Sequence, residues 1–177
     1  MHKDNILVVY YSRTGNTEAV AELIHDKLGG DIAKIVTSED RPENYHQEVE
    51  QNQLEQENNV LPRLNTHFSN LKKYNTVFIG FPTWNMALPQ AVVSFLTTHD
   101  FEGITIVPFN TNGGYGQGRT FNQISALAPD ANVKVGFSVQ GGEENRGQIL
   151  NIKKERKTEV LQQLTEWLRE LVVQNEK

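Results

Sequence analysis

Tyr11-Ser12-Arg13-Thr14-Gly15-Asn16-Thr17 joins two segments of different periodicity. Before it, Ile6-Leu7-Val8-Val9-Tyr10-Tyr11 is apolar and rich in β-branched and aromatic residues, which predicts a buried strand. After it, Val20, Leu23, Ile24 and Leu28 recur at helical spacing and predict an amphipathic helix. A polar turn from strand into helix makes an anion site, because the first helical N–H groups lack intrahelical partners and point into the turn. The hydroxyls of Ser12, Thr14 and Thr17 and the amide of Asn16 add donors, and Gly15 permits φ > 0 or a close backbone approach. An ordinary N-cap explains one such residue. Four hydroxyl or amide residues and a glycine within positions 12 to 17 point to phosphate.

What is missing narrows the phosphate. No Gly-Lys-Thr or Gly-Lys-Ser is present, so this is not the loop of a nucleoside triphosphatase. No Gly-x-Gly-x-x-Gly stands here, which disfavours a dinucleotide. The first strand ends without the Asp pair of a phospho-acceptor receiver. With no cysteine in the chain, thiol chemistry is excluded. A monophosphate held mainly by neutral donors remains.

A length of 177 residues predicts a single domain spanning 1–177. The formal charge of −5 is unevenly placed. Residues 39 to 57 carry seven acids and one base, a net of −6, so the rest of the chain is near +1. No basic stripe suggests nucleic acid as a partner, and no apolar run suggests a membrane. The absence of cysteine and of an export signal fits a cytoplasmic protein, a monomer or weak homodimer.

Further strands are predicted at Asp31–Val36 (an edge), Thr76–Phe81 (central), Ile104–Phe109 and Val133–Val139. Between them, the acidic segment Glu39–Asn59 predicts a helix lying loosely on the surface, as a solvated charged face. Pro89 opens another helix, Arg119–Leu127 forms a fourth, and Ile152–Val173 closes the chain with Trp167 on its apolar face. Strands alternating with helices predict an α/β protein, a three-layer doubly wound five-stranded parallel sheet. Ligands bind such sheets at the carboxyl ends of the strands. That rule gathers the Ser12–Thr17 turn, the loop Pro82-Thr83-Trp84-Asn85-Met86 and the glycine-rich loop Thr111-Asn112-Gly113-Gly114-Tyr115-Gly116 on one rim.

Trp84 lies outside any periodicity that would bury it, and Tyr115 sits between glycines. Two aromatics beside a monophosphate turn suggest a flat ring held between faces, worth ~0.5–1.5 kcal/mol beyond area burial. A flat ring with a ribityl phosphate is FMN, whose pyrimidine edge the backbone of the glycine-rich loop is suited to read.

These three loops and the element order resemble the flavodoxin family over essentially the whole chain. Ser12-x-Thr14-Gly15-Asn16-Thr17 is similar to its phosphate loop. Pro82-x-Trp84 and Pro108-Phe109 followed by Gly113-Gly114-Tyr115-Gly116 resemble a subgroup of short flavodoxin-like proteins. The resemblance implies strand order 2-1-3-4-5 and non-covalently bound FMN, with phosphate on Ser12 to Thr17, the isoalloxazine against Trp84 and Tyr115 as a second wall. Two departures stand out. The subgroup often has Trp-Trp-Gly where this chain has Trp84-Asn85-Met86, and a peptide flip described for flavodoxins at glycine costs more at Asn85. The three rim loops carry Arg13 and Arg119 and no acid, with only Glu143 and Glu144 near the rim from the fifth strand's loop, which predicts a less negative potential than in strongly acidic flavodoxins.

The expected function is electron transfer through FMN between redox partner proteins, a reductase and an acceptor, with no catalytic or metal-ligating side chain. The alternative is an NAD(P)H-dependent reductase of quinones, azo dyes or nitroaromatics. The acidic segment is expected either to dock a basic partner or to keep the protein in solution.

Overall fold

The computed structural model describes residues 5–142 and 150–175. Its strands are β1 (Ile6–Tyr10), β2 (Asp31–Lys34), β3 (Thr76–Pro82), β4 (Thr105–Asn112), β5 (Asn132–Val133) and β6 (Phe137–Gln140). Its helices are α1 (Asn16–Leu28), α2 (Tyr45–Glu57), α3 (Gln90–Thr98), α4 (Thr120–Leu127) and α5 (Lys154–Asn175). All pairings between these strands are parallel, in the order β2-β1-β3-β4-β5, with β6 also on β4. This is the order expected from the sequence.

Alternation along β1 shows why both sheet faces are covered. Ile6, Val8 and Tyr10 pack with α1 and α5 residues such as Val20, Ile24, Val160 and Leu164. Leu7 and Val9 face the other way, toward Val92, Phe95 and Leu96 of α3 and Ile124 of α4. A strand buried on both faces needs a continuous apolar run, which β1 and β3 supply. Trp167 is buried as expected, and its indole N–H donates to the Val135 carbonyl at 3.1 Å.

Three expectations need correction. The fifth strand is interrupted: β5 and β6 pair with Thr105–Ile106 and Phe109–Asn112 of β4, so both occupy one position in the sheet. Between them the Val135 carbonyl turns to Trp167, and the Phe121 ring lies where a Cβ on Gly136 would sit, 2.6 Å away. Second, β4 runs through Thr111 and Asn112, which the sequence placed in the loop; their backbone continues the ladder to β3 and β6.

The third correction is the largest. α2 is not a loose charged face: Glu48 and Asn52 are 2% and 1% exposed. The Asn44 side chain caps the helix by accepting from Gln47 N–H at 3.1 Å. Asn52 Oδ1 accepts from the Gln90 N–H at 2.8 Å, and Glu48 meets Tyr11 and Arg13. The helix is joined to the sheet by polar contacts, which hydrophobic periodicity does not register. Glu143, Glu144 and Asn145 of the predicted fifth-strand loop lie outside the described residues.

Candidate functional site

The three expected loops meet at the carboxyl ends of β1, β3 and β4. Of the seventeen residues expected to bind the cofactor, Arg13, Thr14, Asn16, Thr17, Pro82, Thr83, Trp84, Thr111, Asn112, Gly113 and Tyr115 line one cleft. Ser12, Gly15, Asn85, Met86, Gly114 and Gly116 are not among its lining residues. Tyr45 of α2 and Gly141 and Gly142 after β6 also line it, and the sequence reading did not include them. Tyr45 was legible only as an apolar anchor of the acidic segment. Gly141 and Gly142 carried no more than a turn signal.

At the Ser12–Thr17 end of the cleft the side chains are tied to one another. Ser12 Oγ accepts from the Gly15 N–H at 3.2 Å. Gly15 has φ 101° and, as N-cap of α1, offers no side-chain cap, which suits the start of the helix to an anion. Asn16 reaches across to the segment just before α5: its Oδ1 accepts from the N–H groups of Asn151 and Ile152 at 2.9 and 3.0 Å, while its Nδ2 donates to Thr14 Oγ1 at 3.2 Å. The Thr17 and Thr111 hydroxyls share a hydrogen bond at 2.7 Å, locking α1 to β4. Asn16, expected as a phosphate donor, lines the cleft and also clamps the turn against the segment that leads into the last helix.

Trp84 corrects the sequence reading. It is 3% exposed and packs edge-on to Tyr11 at 5.7 Å and to Tyr45 at 6.4 Å, so its ring is core as well as cleft wall. It begins a two-residue hairpin turn: Trp84 and Ala87 exchange both backbone hydrogen bonds, at 3.0 and 3.1 Å. Asn85 and Met86 take φ 52° and 57°, as such turns require. The Met86 carbonyl accepts from the Arg119 N–H at 3.0 Å, and a Cβ on Gly118 would lie 2.5 Å from it, so glycine is needed there.

In the glycine-rich loop, Asn112 Oδ1 accepts from the Gly114 and Gly116 N–H groups at 2.8 and 3.1 Å and curls the backbone around itself. Buried Asn110 supports it from below, donating to Thr83 Oγ1 at 2.7 Å. Tyr115 is half exposed, and its hydroxyl donates to the Thr83 carbonyl at 3.1 Å, so the ring lies across the cleft. About 20 Å³ of free space remains inside, roughly one water.

Electrostatics at the rim differ from the sequence expectation. Arg13 is not an open cation: its Nε lies 2.5 Å from Glu48 Oε2, and its Nη2 donates to the Glu43 carbonyl. Tyr11 donates its hydroxyl to Glu48 Oε1 at 2.7 Å; burial, with the Glu48 charge beside it, raises its pKa far above the ordinary phenol value. Arg119 does not line the cleft but a separate groove beside α3 and α4. Neither expected cation presents free charge to the cleft.

Residues 5–153 match the flavodoxin family, and the chain belongs to it. A flavodoxin of Nostoc sp. is 28% identical over 116 residues, covering 63% of this chain and 54% of its own length, so the chain spans about half of that curated relative. Among solved structures, a protein of Bacteroides eggerthii classed as a flavoprotein is 29% identical, with a TM-score of 0.69 over 76% of this chain and 87% of its own. A flavoprotein of Lactobacillus acidophilus in complex with FMN shares the fold at 20% identity, with a TM-score of 0.66 over 77% of this chain and 93% of its own. No helix among the described residues is long and apolar enough to cross a membrane.

Proposed function

We propose that this chain is one FMN-binding domain that carries electrons between partner proteins through non-covalently held FMN. Family membership supports the cofactor, and the donor chemistry of the cleft fits it. The Gly15-capped start of α1 with the Thr14 and Thr17 hydroxyls suits the phosphate; Trp84 and Tyr45 suit one side of a flat ring. Bound there, the isoalloxazine supplies electron transfer, and the protein supplies position and electrostatics. Tyr115, held in the cleft by its hydrogen bond to Thr83, would supply the second aromatic contact to the ring by giving up that bond. Its glycine neighbours, Gly114 at φ 107° and Gly116 at φ 82°, give that movement a backbone without side chains.

The observation that carries the carrier reading is the lining itself. Among the described residues, no His, Asp or Glu side chain lines the cleft, which fits a carrier whose cofactor does the chemistry. The partners are accordingly redox proteins, and the NAD(P)H-dependent reductase is the competing reading. The test is anaerobic: the FMN-loaded protein is mixed with NADPH and a quinone, then with a flavodoxin reductase. Slow reduction by NADPH alone and fast reduction through the added reductase are expected. Sustained quinone turnover with NADPH alone would replace the carrier with the reductase.

A further inference from the structure

Glu48 is a buried carboxylate on α2, outside the lining of the cleft, and it touches the back of two cleft walls. It accepts from Tyr11, whose ring packs on Trp84, and it pairs with Arg13 in the phosphate turn. Arg13 lines both the cleft and a neighbouring cavity of about 330 Å³ bounded by Arg41, Glu43 and Glu48. Two of its guanidinium nitrogens are engaged on the α2 side, by the Glu48 carboxylate and the Glu43 carbonyl.

Glu48 stands closer to Arg13 than to Arg41. Arg41 is held by both oxygens of Glu55, at 2.6 and 3.1 Å, and stands 3.9 Å from Glu48. Glu55 therefore answers Arg41, and Glu48 answers Arg13. Replacing Glu48 by a neutral isostere leaves one cation uncompensated, and that cation belongs to the phosphate turn.

We propose that Glu48 withholds the charge of Arg13 from the phosphate end of the cleft, so that phosphate is bound by neutral donors alone. Glu48 is thus a positioning residue that sets how strongly the chain distinguishes FMN from riboflavin, which lacks the phosphate. The proposal rests on the FMN reading. With the carboxylate present, the guanidinium is drawn toward α2 and its field cancelled. Without it, the same side chain, already on the cleft wall, turns its charge to the ligand dianion.

The test compares FMN with riboflavin. In Glu48→Gln the amide oxygen still accepts from Tyr11, but the charge on Arg13 is released. FMN should bind about tenfold tighter (~1.4 kcal/mol) while riboflavin affinity holds, and the gain should fade between about 20 mM and 500 mM salt, where screening shortens from tens of ångströms to a few. An unchanged or lower FMN-to-riboflavin ratio overturns the proposal; both affinities falling together would make Glu48 a structural clamp. Wild-type protein gives a second reading that does not depend on the variant folding. Its FMN and riboflavin affinities should respond alike to salt, and a steep loss for FMN alone would show Arg13 already facing the phosphate. If wild type binds neither ligand, the FMN reading falls and takes this proposal with it; binding with an unmoved ratio in Glu48→Gln removes the proposal alone.

Discussion

The two ends of the cleft are built on opposite plans. At the Ser12–Thr17 end, hydrogen bonds run outward from the turn to the segment just before α5 and to β4, and an ion pair runs to α2, so the turn is fixed by three neighbours. At the other end, the glycine-rich loop curls around Asn112 and is tied further to Thr83, and its aromatic is about half exposed. The Ser12–Thr17 end is shaped before any ligand arrives. The proposed binding of FMN requires the Tyr115 end to open. A preformed anion site loses little ordering entropy on binding, whereas a closing aromatic adds contact only once the ring is in place.

The largest test of that contrast is Asn16→Ala. It removes the acceptor of the Asn151 and Ile152 N–H groups, the first of them part-buried and the second buried. Each orphaned donor costs roughly 1–3 kcal/mol, so urea unfolding should show a loss of about 2–4 kcal/mol, with FMN affinity falling in step. A loss below about 0.5 kcal/mol, the scale of ordinary surface substitutions, would mean that the turn is not clamped and that the two ends are alike.

Tyr115→Ala probes the other end and should do the reverse. The ring is 54% exposed, and the lost hydrogen bond to Thr83 is worth roughly 1 kcal/mol or less. Stability should barely change, while FMN affinity drops about fivefold to tenfold, the value of one stacking contact. Fluorescence titration beside thermal unfolding separates the two effects. A large stability loss with unchanged affinity would make Tyr115 a structural strut.

Much of this contrast was written in local sequence. The strands and the three converging loops followed from periodicity and from the position of the turns, because β1 and β3 are buried on both faces and so read as unbroken apolar runs, whereas the strand order came from the resemblance of the loops to a known family. The polar ties were not legible. Glu48 looks like any other acid in a segment of net −6, and nothing near it in sequence announces Arg13, which lies thirty-five positions earlier. Its burial is decided by a partner on another element. Trp84 was misjudged for a related reason: it is buried by Tyr11 and Tyr45 from two distant segments, while its own neighbours show no period. The break in the fifth strand likewise depends on Phe121 and Trp167.

The smallest expected effect falls between the two ends, at the Trp84–Ala87 turn. A turn of this hand asks for φ > 0 at both central positions, which Asn tolerates and Met resists. Met86 holds φ 57° because its carbonyl is fixed by the Arg119 N–H and its neighbours leave the chain no other path. Its side chain is 46% exposed, so little packing offsets the strain. Met86→Gly relieves about 1 kcal/mol of left-handed strain and returns part of it as added freedom in the unfolded chain, ~0.4–1 kcal/mol. The net should be a stabilisation of a few tenths of a kcal/mol, resolved as a small rise in urea midpoint without a change in slope. A loss of more than about 1 kcal/mol, the size expected for a lost core contact rather than a relaxed turn, would show that the Met86 side chain holds the turn in place. The rigid part of the site would then extend from the phosphate end across to the ring end, leaving only Tyr115 to move.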